Sequence, residues 1–107
     1  DKLWLQFYQR SADMFLGVPF NMFSYAVFLH MMSAKTGIVP GGVVHSIGDA
    51  HCYATHREAI IEQLKNPILD QPKIKINFKD RWEDYQITDF ELIGYKSARK
   101  ISAPMSA

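Results

Sequence analysis

Residues 9–21 read QRSADMFLGVPFN and set an arginine, a serine, an aspartate and an asparagine on otherwise apolar chain. Arg10 and Ser11 pair a guanidinium with a hydroxyl, a combination suited to a phosphate or carboxylate. Strand neighbours point to opposite faces, so both reach one anion only where the chain turns, and Ala12-Asp13 could let it turn. The competing reading is a surface salt bridge between Arg10 and Asp13, a common and weak contact. Asn21 carries an amide that donates and accepts at once, which suits the edge of a planar heterocycle. In the first turn of a helix the same amide can instead support the helix start through the backbone.

A second group lies downstream. His51 and Tyr53 are two apart, so in an extended segment they share a side and could grip a sugar hydroxyl, while Cys52 points away. The alternative is a half-buried pair at a strand end. A lone cysteine is more often a small core residue than a nucleophile. His45, Asp49, His51, Cys52 and His56 invite a metal reading, but their spacing matches no zinc pattern, and no metal is expected. Gly-x-Gly-x-x-Gly, Walker and Gly-x-Ser-x-Gly motifs are absent from the sequence. Lys73, Lys75, Lys79 and Arg81 make a basic cluster diluted by Asp80, Glu83 and Asp84, which reads as a solvated edge. An anion site beside an amide and an imidazole–phenol pair would suit the phosphate, base edge and ribose of a nucleotide.

The elements that must position these groups follow from periodicity. Residues 3–9 read as a strand with Leu3, Leu5 and Phe7 on one face and Trp4, Gln6 and Tyr8 on the other, neither strongly polar, so both are expected to be covered. Residues 19–36 read as a helix of about 27 Å, with Pro19 at its start and Gly37 as its cap. Its composition predicts burial on most sides. Its apolar runs fall short of the roughly 20 residues a membrane span needs. Residues 37–42 form a turn, 43–47 a strand, and AHCY a short extended piece. Residues 55–65 form an amphipathic helix with Thr55 as N-cap, Glu58 completing a capping box, and Ile60, Ile61 and Leu64 as its stripe. Residues 73–78 alternate as a strand, 79–86 connect, and 87–95 are a further strand or extended segment. Pro104 argues against a helix in the tail. The pattern predicts an α/β (α+β) fold, a mixed β-sheet packed on a long buried helix, in one domain over 1–107.

Composition narrows the function classes. The chain has 107 residues, 48% hydrophobic and 21% charged, enough for one core. A net charge of +1 gives no general basic field for DNA. One cysteine fits a reducing, cytoplasmic setting. Asp1 opens the chain and the apolar alternation begins by Leu3, so the chain reads as a piece of a longer protein.

YQRSADMFLGVPFN (8–21), HSIGDAHCYATH (45–56), DFELIGY (89–95) and the terminal KISAPMSA together resemble the thymidylate synthase family, in order and over nearly the whole chain. The resemblance is closest over 8–21 and weakest over 66–83. It implies the C-terminal portion of a homodimeric enzyme that converts dUMP to dTMP with 5,10-methylenetetrahydrofolate. It further implies that Arg10 and Ser11, with Gln9 beside them, hold the dUMP phosphate. Asn21 would read the uracil edge, and His51 and Tyr53 the ribose 3′-hydroxyl. Asp13 would contact the pterin, Leu16, Gly17 and Phe20 would line the nucleotide–folate stack, and Ala107 would belong to a closing tail. The family's nucleophilic cysteine lies in a Pro-Cys-His segment upstream of the matching region. Cys52 matches no catalytic position. Thr55 stands where the family usually has asparagine. A pyrimidine-nucleotide hydroxymethylase of the same fold and a non-catalytic nucleotide-binding or assembly module are the alternatives.

Overall fold

A computed structural model describes residues 1–105. Strand β1 (Leu3–Asp13) leads through helix α1 (Val18–Thr36) to strand β2 (Pro40–His51), which lies parallel to β1. Parallel neighbours need such a crossover, and the helix lies against the sheet it bridges. A 3-10 turn (Ala54–His56) runs into helix α2 (Arg57–Lys65). Strands β3 (Lys73–Ile76) and β4 (Phe90–Ile93) pair antiparallel in a separate sheet. The predicted mixed sheet is therefore two two-stranded pairs, one parallel and one antiparallel, among the described residues.

β1 keeps the predicted alternation over residues 3–9 but runs on to Asp13, because Ser11, Ala12 and Asp13 each find a partner on β2, ending at Asp13 opposite His51. β2 is longer than VVHSI at both ends for the same reason. On the inner face Phe7 stacks between Tyr25 of α1 and His45 of β2, with ring centroids 3.8 and 4.1 Å apart. Over Trp4, Gln6 and Tyr8 the outer face is open in this chain, contrary to the expectation that both would be covered. Trp4 is 61% and Tyr8 69% exposed. Tyr8 lies over Gly48, where an added Cβ would press on its hydroxyl and come 2.9 Å from the Arg10 carbonyl oxygen, so the flat aromatic face depends on that glycine.

α1 starts with Pro in its first turn and stops at Gly37, whose left-handed φ of 72° lets its N–H reach the Ser33 carbonyl at 2.8 Å. Its predicted burial on most sides does not hold within this chain. Leu29 is its one buried residue, and Phe20 is 71% exposed. Two small sheets supply too little apolar surface to cover every side of a 19-residue helix. At its C-terminal end Lys35 donates to the Asp80 carbonyl and lies over the Trp82 ring, 5.3 Å from its centre, which ties the helix to the 79–86 connection.

Two local expectations change. Thr55 caps nothing, because the 3-10 turn begins at Ala54 and places Thr55 inside it. Glu58 pairs instead with Arg57 at 2.7 Å. Residues 87–89 form a 3-10 turn before β4 rather than strand, because Asp89 folds back on Gln86 in a reciprocal cap. The nearly buried Asp89 carboxylate also accepts from Asn77 Nδ2 at 2.9 Å and lies 3.4 Å from Lys79 Nζ. The Gln86 amide above all, with Asn77 and Lys79 and against the opposing effect of burial, holds its pKa below the ordinary 3.8. A carboxylate that ionises more readily folded than unfolded adds stability above its unfolded pKa, and that stability is lost as pH falls through the folded value. Asp89→Asn is expected to lower stability near neutrality and to remove this part of the acid-induced loss. Urea melts from about pH 6 to about pH 2 check it, and an unchanged acid slope would refute it.

Candidate functional site

The C-terminal ends of the two parallel strands and the N-terminal end of α1 converge, the place where open α/β sheets commonly take ligands. Gln9, half-buried on the inner face of β1, organises this corner. Its Nε2 donates to the Ser11 carbonyl at 2.9 Å and to Asn21 Oδ1 at 3.2 Å, and its Oε1 faces His45 Nε2 at 3.0 Å. Ser11 is exposed on the same strand face by its spacing from Gln9. Arg10 is exposed and alternates to the face of Tyr8, because β1 continues through residues 10–13 without the turn that would swing it toward Ser11. No Arg10–Asp13 salt bridge forms among the described residues.

Asp13 closes the strand and opens the loop to α1. Its Oδ1 accepts from the backbone N–H groups of Phe15 and Leu16, both at 3.0 Å. Burial pushes the carboxyl pKa up, but the Leu16 and Phe15 amides, aided by the nearby His56 and His51 rings, outweigh it and hold Asp13 below its ordinary value. The loop is tight. Gly17 N–H donates to the Asp13 carbonyl at 3.0 Å, and a Cβ at Gly17 would stand 3.0 Å from that oxygen and 3.5 Å from Asn21 Oδ1. Asn21 N–H in turn donates to the Gly17 carbonyl at 3.0 Å, so the backbone of Asn21 belongs to the helix while its side chain belongs to the corner. Leu16 is half-buried and Phe20, in the first turn of α1, is exposed.

His51 and Tyr53 come together as their spacing predicts, edge to face with ring centres 5.2 Å apart. His51 lies opposite Asp13 in the register, and its carbonyl accepts from Met14 N–H at 2.9 Å, which joins the two halves of the corner. Cys52 is exposed and borders an apolar hollow with Met14, Phe15 and Pro19. Ala107 lies outside the described residues. Among the described residues no three His, Cys, Asp or Glu side chains gather to hold a metal ion. No helix among them is long and apolar enough to cross a membrane.

Two residues escape a reading of the sequence alone. His45 enters it only as one of five metal candidates, yet it stands on Gln9. His56 is fully buried against Phe15 and Tyr53, and its Nε2 lies 2.6 Å from the Pro104 carbonyl, where it must donate. Its Nδ1 is buried with no hydrogen-bond partner among the described residues, 3.9 Å from Asp13 Oδ1. A histidine predicted inside an amphipathic helix gives no sign of such a tertiary contact. The available signal for His45 was its place between apolar residues in VVHSI, since a polar group on an inner face needs a partner.

The family model described as thymidylate synthase matches residues 1–107. The chain is 47% identical over 105 residues to a thymidylate synthase of Staphylococcus haemolyticus, an alignment that takes in 98% of this chain and 33% of that protein. It is 45% identical over 106 residues to the thymidylate synthase of Leuconostoc mesenteroides, again over 98% of this chain and 33% of the relative. The chain thus spans about a third of the length of the curated relatives it matches.

Proposed function

The chain belongs to the thymidylate synthase family, and on that premise we propose that its 107 residues are the nucleotide- and folate-binding C-terminal part of an enzyme that methylates dUMP to dTMP. The observation that carries this reading is the amide of Asn21, held by Gln9 at the strand ends beside an ionised Asp13 and the His51–Tyr53 pair. In this reading Asn21 meets the uracil edge, donating to O4 and accepting from N3–H. His51 and Tyr53 hold the ribose hydroxyl. Ser11 and the long guanidinium of Arg10, reaching round the strand end with Gln9 beside them, take the phosphate.

The residues present fit a reduced folate. A carboxylate kept in its charged, accepting form opens the loop that carries the half-buried Leu16 and leads into α1 with its exposed Phe20, which suits a flat heterocycle that bears N–H donors. Asp13, Leu16, Gly17 and Phe20 would hold 5,10-methylenetetrahydrofolate, and Ala107 is assigned to the closing tail. When bound, that molecule supplies the one-carbon unit and the hydride. This chain's own residues orient the base, keep its edge paired and exclude water around it. The nucleophile is assigned to the two thirds of the enzyme that this chain does not cover. The exposed outer face of Trp4 and Tyr8 is assigned to a twofold contact with a second copy, and the working setting to the cytoplasm.

The test is turnover by the full reading frame that carries these residues. Incubation with dUMP and 5,10-methylenetetrahydrofolate is expected to yield dTMP and dihydrofolate, read by mass spectrometry and absorbance. A 5-hydroxymethyl product would replace this reading with the hydroxymethylase. Nucleotide binding without turnover would replace it with a non-catalytic module.

A further inference from the structure

Gln9 has one polarity available to it. Its Nε2 lies 2.9 Å from the Ser11 carbonyl oxygen, which only accepts, so the amide nitrogen must face that way. The second N–H of the same nitrogen then points at Asn21 Oδ1, 3.2 Å away. That leaves Oε1, at 3.0 Å from His45 Nε2, needing a donor. His45 therefore carries a proton on Nε2. Asn21 therefore turns its oxygen to Gln9 and is left with its Nδ2 to donate elsewhere. One backbone carbonyl thus sets the orientation of two amides and the tautomer of an imidazole.

His45 is itself held from the side. It lies on the inner face of β2, opposite Phe7 in the register, and its ring stacks on Phe7 with 20° between the planes. Phe7 is backed by Tyr25 of α1, the helix that carries Asn21. The imidazole has little freedom to swing away from Gln9. A half-buried side chain two hydrogen bonds from Asn21 is thus aimed at the group that carries Asn21's orientation.

We propose that His45 is a positioning residue for base selection, acting through Gln9 to keep the Asn21 amide turned for a uracil edge rather than a cytosine edge. This rests on the reading of Asn21 as the base-contacting residue. A bound uracil needs a donor at O4 and an acceptor for N3–H, whereas cytosine reverses both. If the Asn21 amide rotates, it matches the wrong base. Fixing Gln9 from both ends limits that rotation, while the Ser11 carbonyl alone leaves Oε1 unsatisfied and the amide free to seek another donor.

The variant His45→Phe keeps a ring on Phe7 but removes the donor, and His45→Gln restores one. In the full-length protein, discrimination between dUMP and dCMP, taken as the ratio of their Kd values and of kcat/KM, is expected to fall about three- to tenfold in His45→Phe. It is expected to recover in His45→Gln. Unchanged discrimination in His45→Phe, with dUMP still bound, overturns the proposal alone. Absence of dUMP binding by the parent protein overturns the reading beneath it as well. Nitrogen-15 spectra of the parent protein test the same geometry without a variant. The neutral His45 ring is expected to be protonated on Nε2, and a proton on Nδ1 overturns the proposal.

Discussion

Replacing Asn21 with aspartate is expected to move the pyrimidine preference of the full-length protein from dUMP toward dCMP. Gln9 Nε2 still donates to the oxygen at Oδ1, so the new carboxylate is held where the amide was. The atom that faced the base changes from a donor to an acceptor. Uracil O4 then meets a carboxylate oxygen, while the cytosine amine gains an acceptor. A site built around a paired donor loses heavily when the pairing is reversed, since both buried groups are left unsatisfied. The expected change in the dUMP-to-dCMP ratio of kcat/KM is about a hundredfold or more. Side-by-side kinetics with the two nucleotides check it. An unaltered ratio removes Asn21 from the base edge and leaves it as a helix-start residue only.

The second large effect is expected at His56. The ring is 0% exposed, it packs against Phe15 and Tyr53, and it donates to Pro104 in the tail. It therefore joins three stretches far apart in sequence: the loop after β1, the turn before α2 and the C-terminal tail. His56→Ala removes the ring from a packed position and leaves the Pro104 carbonyl without its donor. The expected loss is about 2–4 kcal/mol in the full-length protein, measured by urea unfolding. His56→Phe separates the two causes, because it keeps most of the volume and cannot donate. It is expected to retain most of the stability while exposing the tail near Pro104 to limited proteolysis. A tail as protected in His56→Phe as in the parent would mean that packing, not the hydrogen bond, holds it.

The three site groups differ in how openly the sequence displays them. His51 and Tyr53 share a side because a period of two in extended chain puts them there, and the structure agrees. Asp13 is visible as a polar residue in a turn, but its tie to the Phe15 and Leu16 amides depends on the loop's path and is not encoded in any spacing. Arg10 and Ser11 show the limit of local reading. Their types suggest one anion, while the continuation of β1 to Asp13 sends them to opposite faces at the backbone level. That continuation is set by pairing with β2, a partner more than thirty residues away.

The sequence by itself determined the element types: two apolar strands, a long helix between Pro19 and Gly37, an amphipathic helix, and an alternating strand near the end. Periodicity, caps and breakers act over a few residues, so local chain chemistry is enough to specify them. It also carried the family, because motifs spread along the whole chain remain readable without coordinates. Tertiary structure decided how those elements meet. The parallel register placed His45 beside Phe7 and within reach of Gln9, and it set Asp13 against His51. Folding brought Pro104 to a buried histidine at position 56. These contacts join residues with no common period and no common neighbour. Their geometry follows from strand pairing and chain path, which only the folded molecule contains.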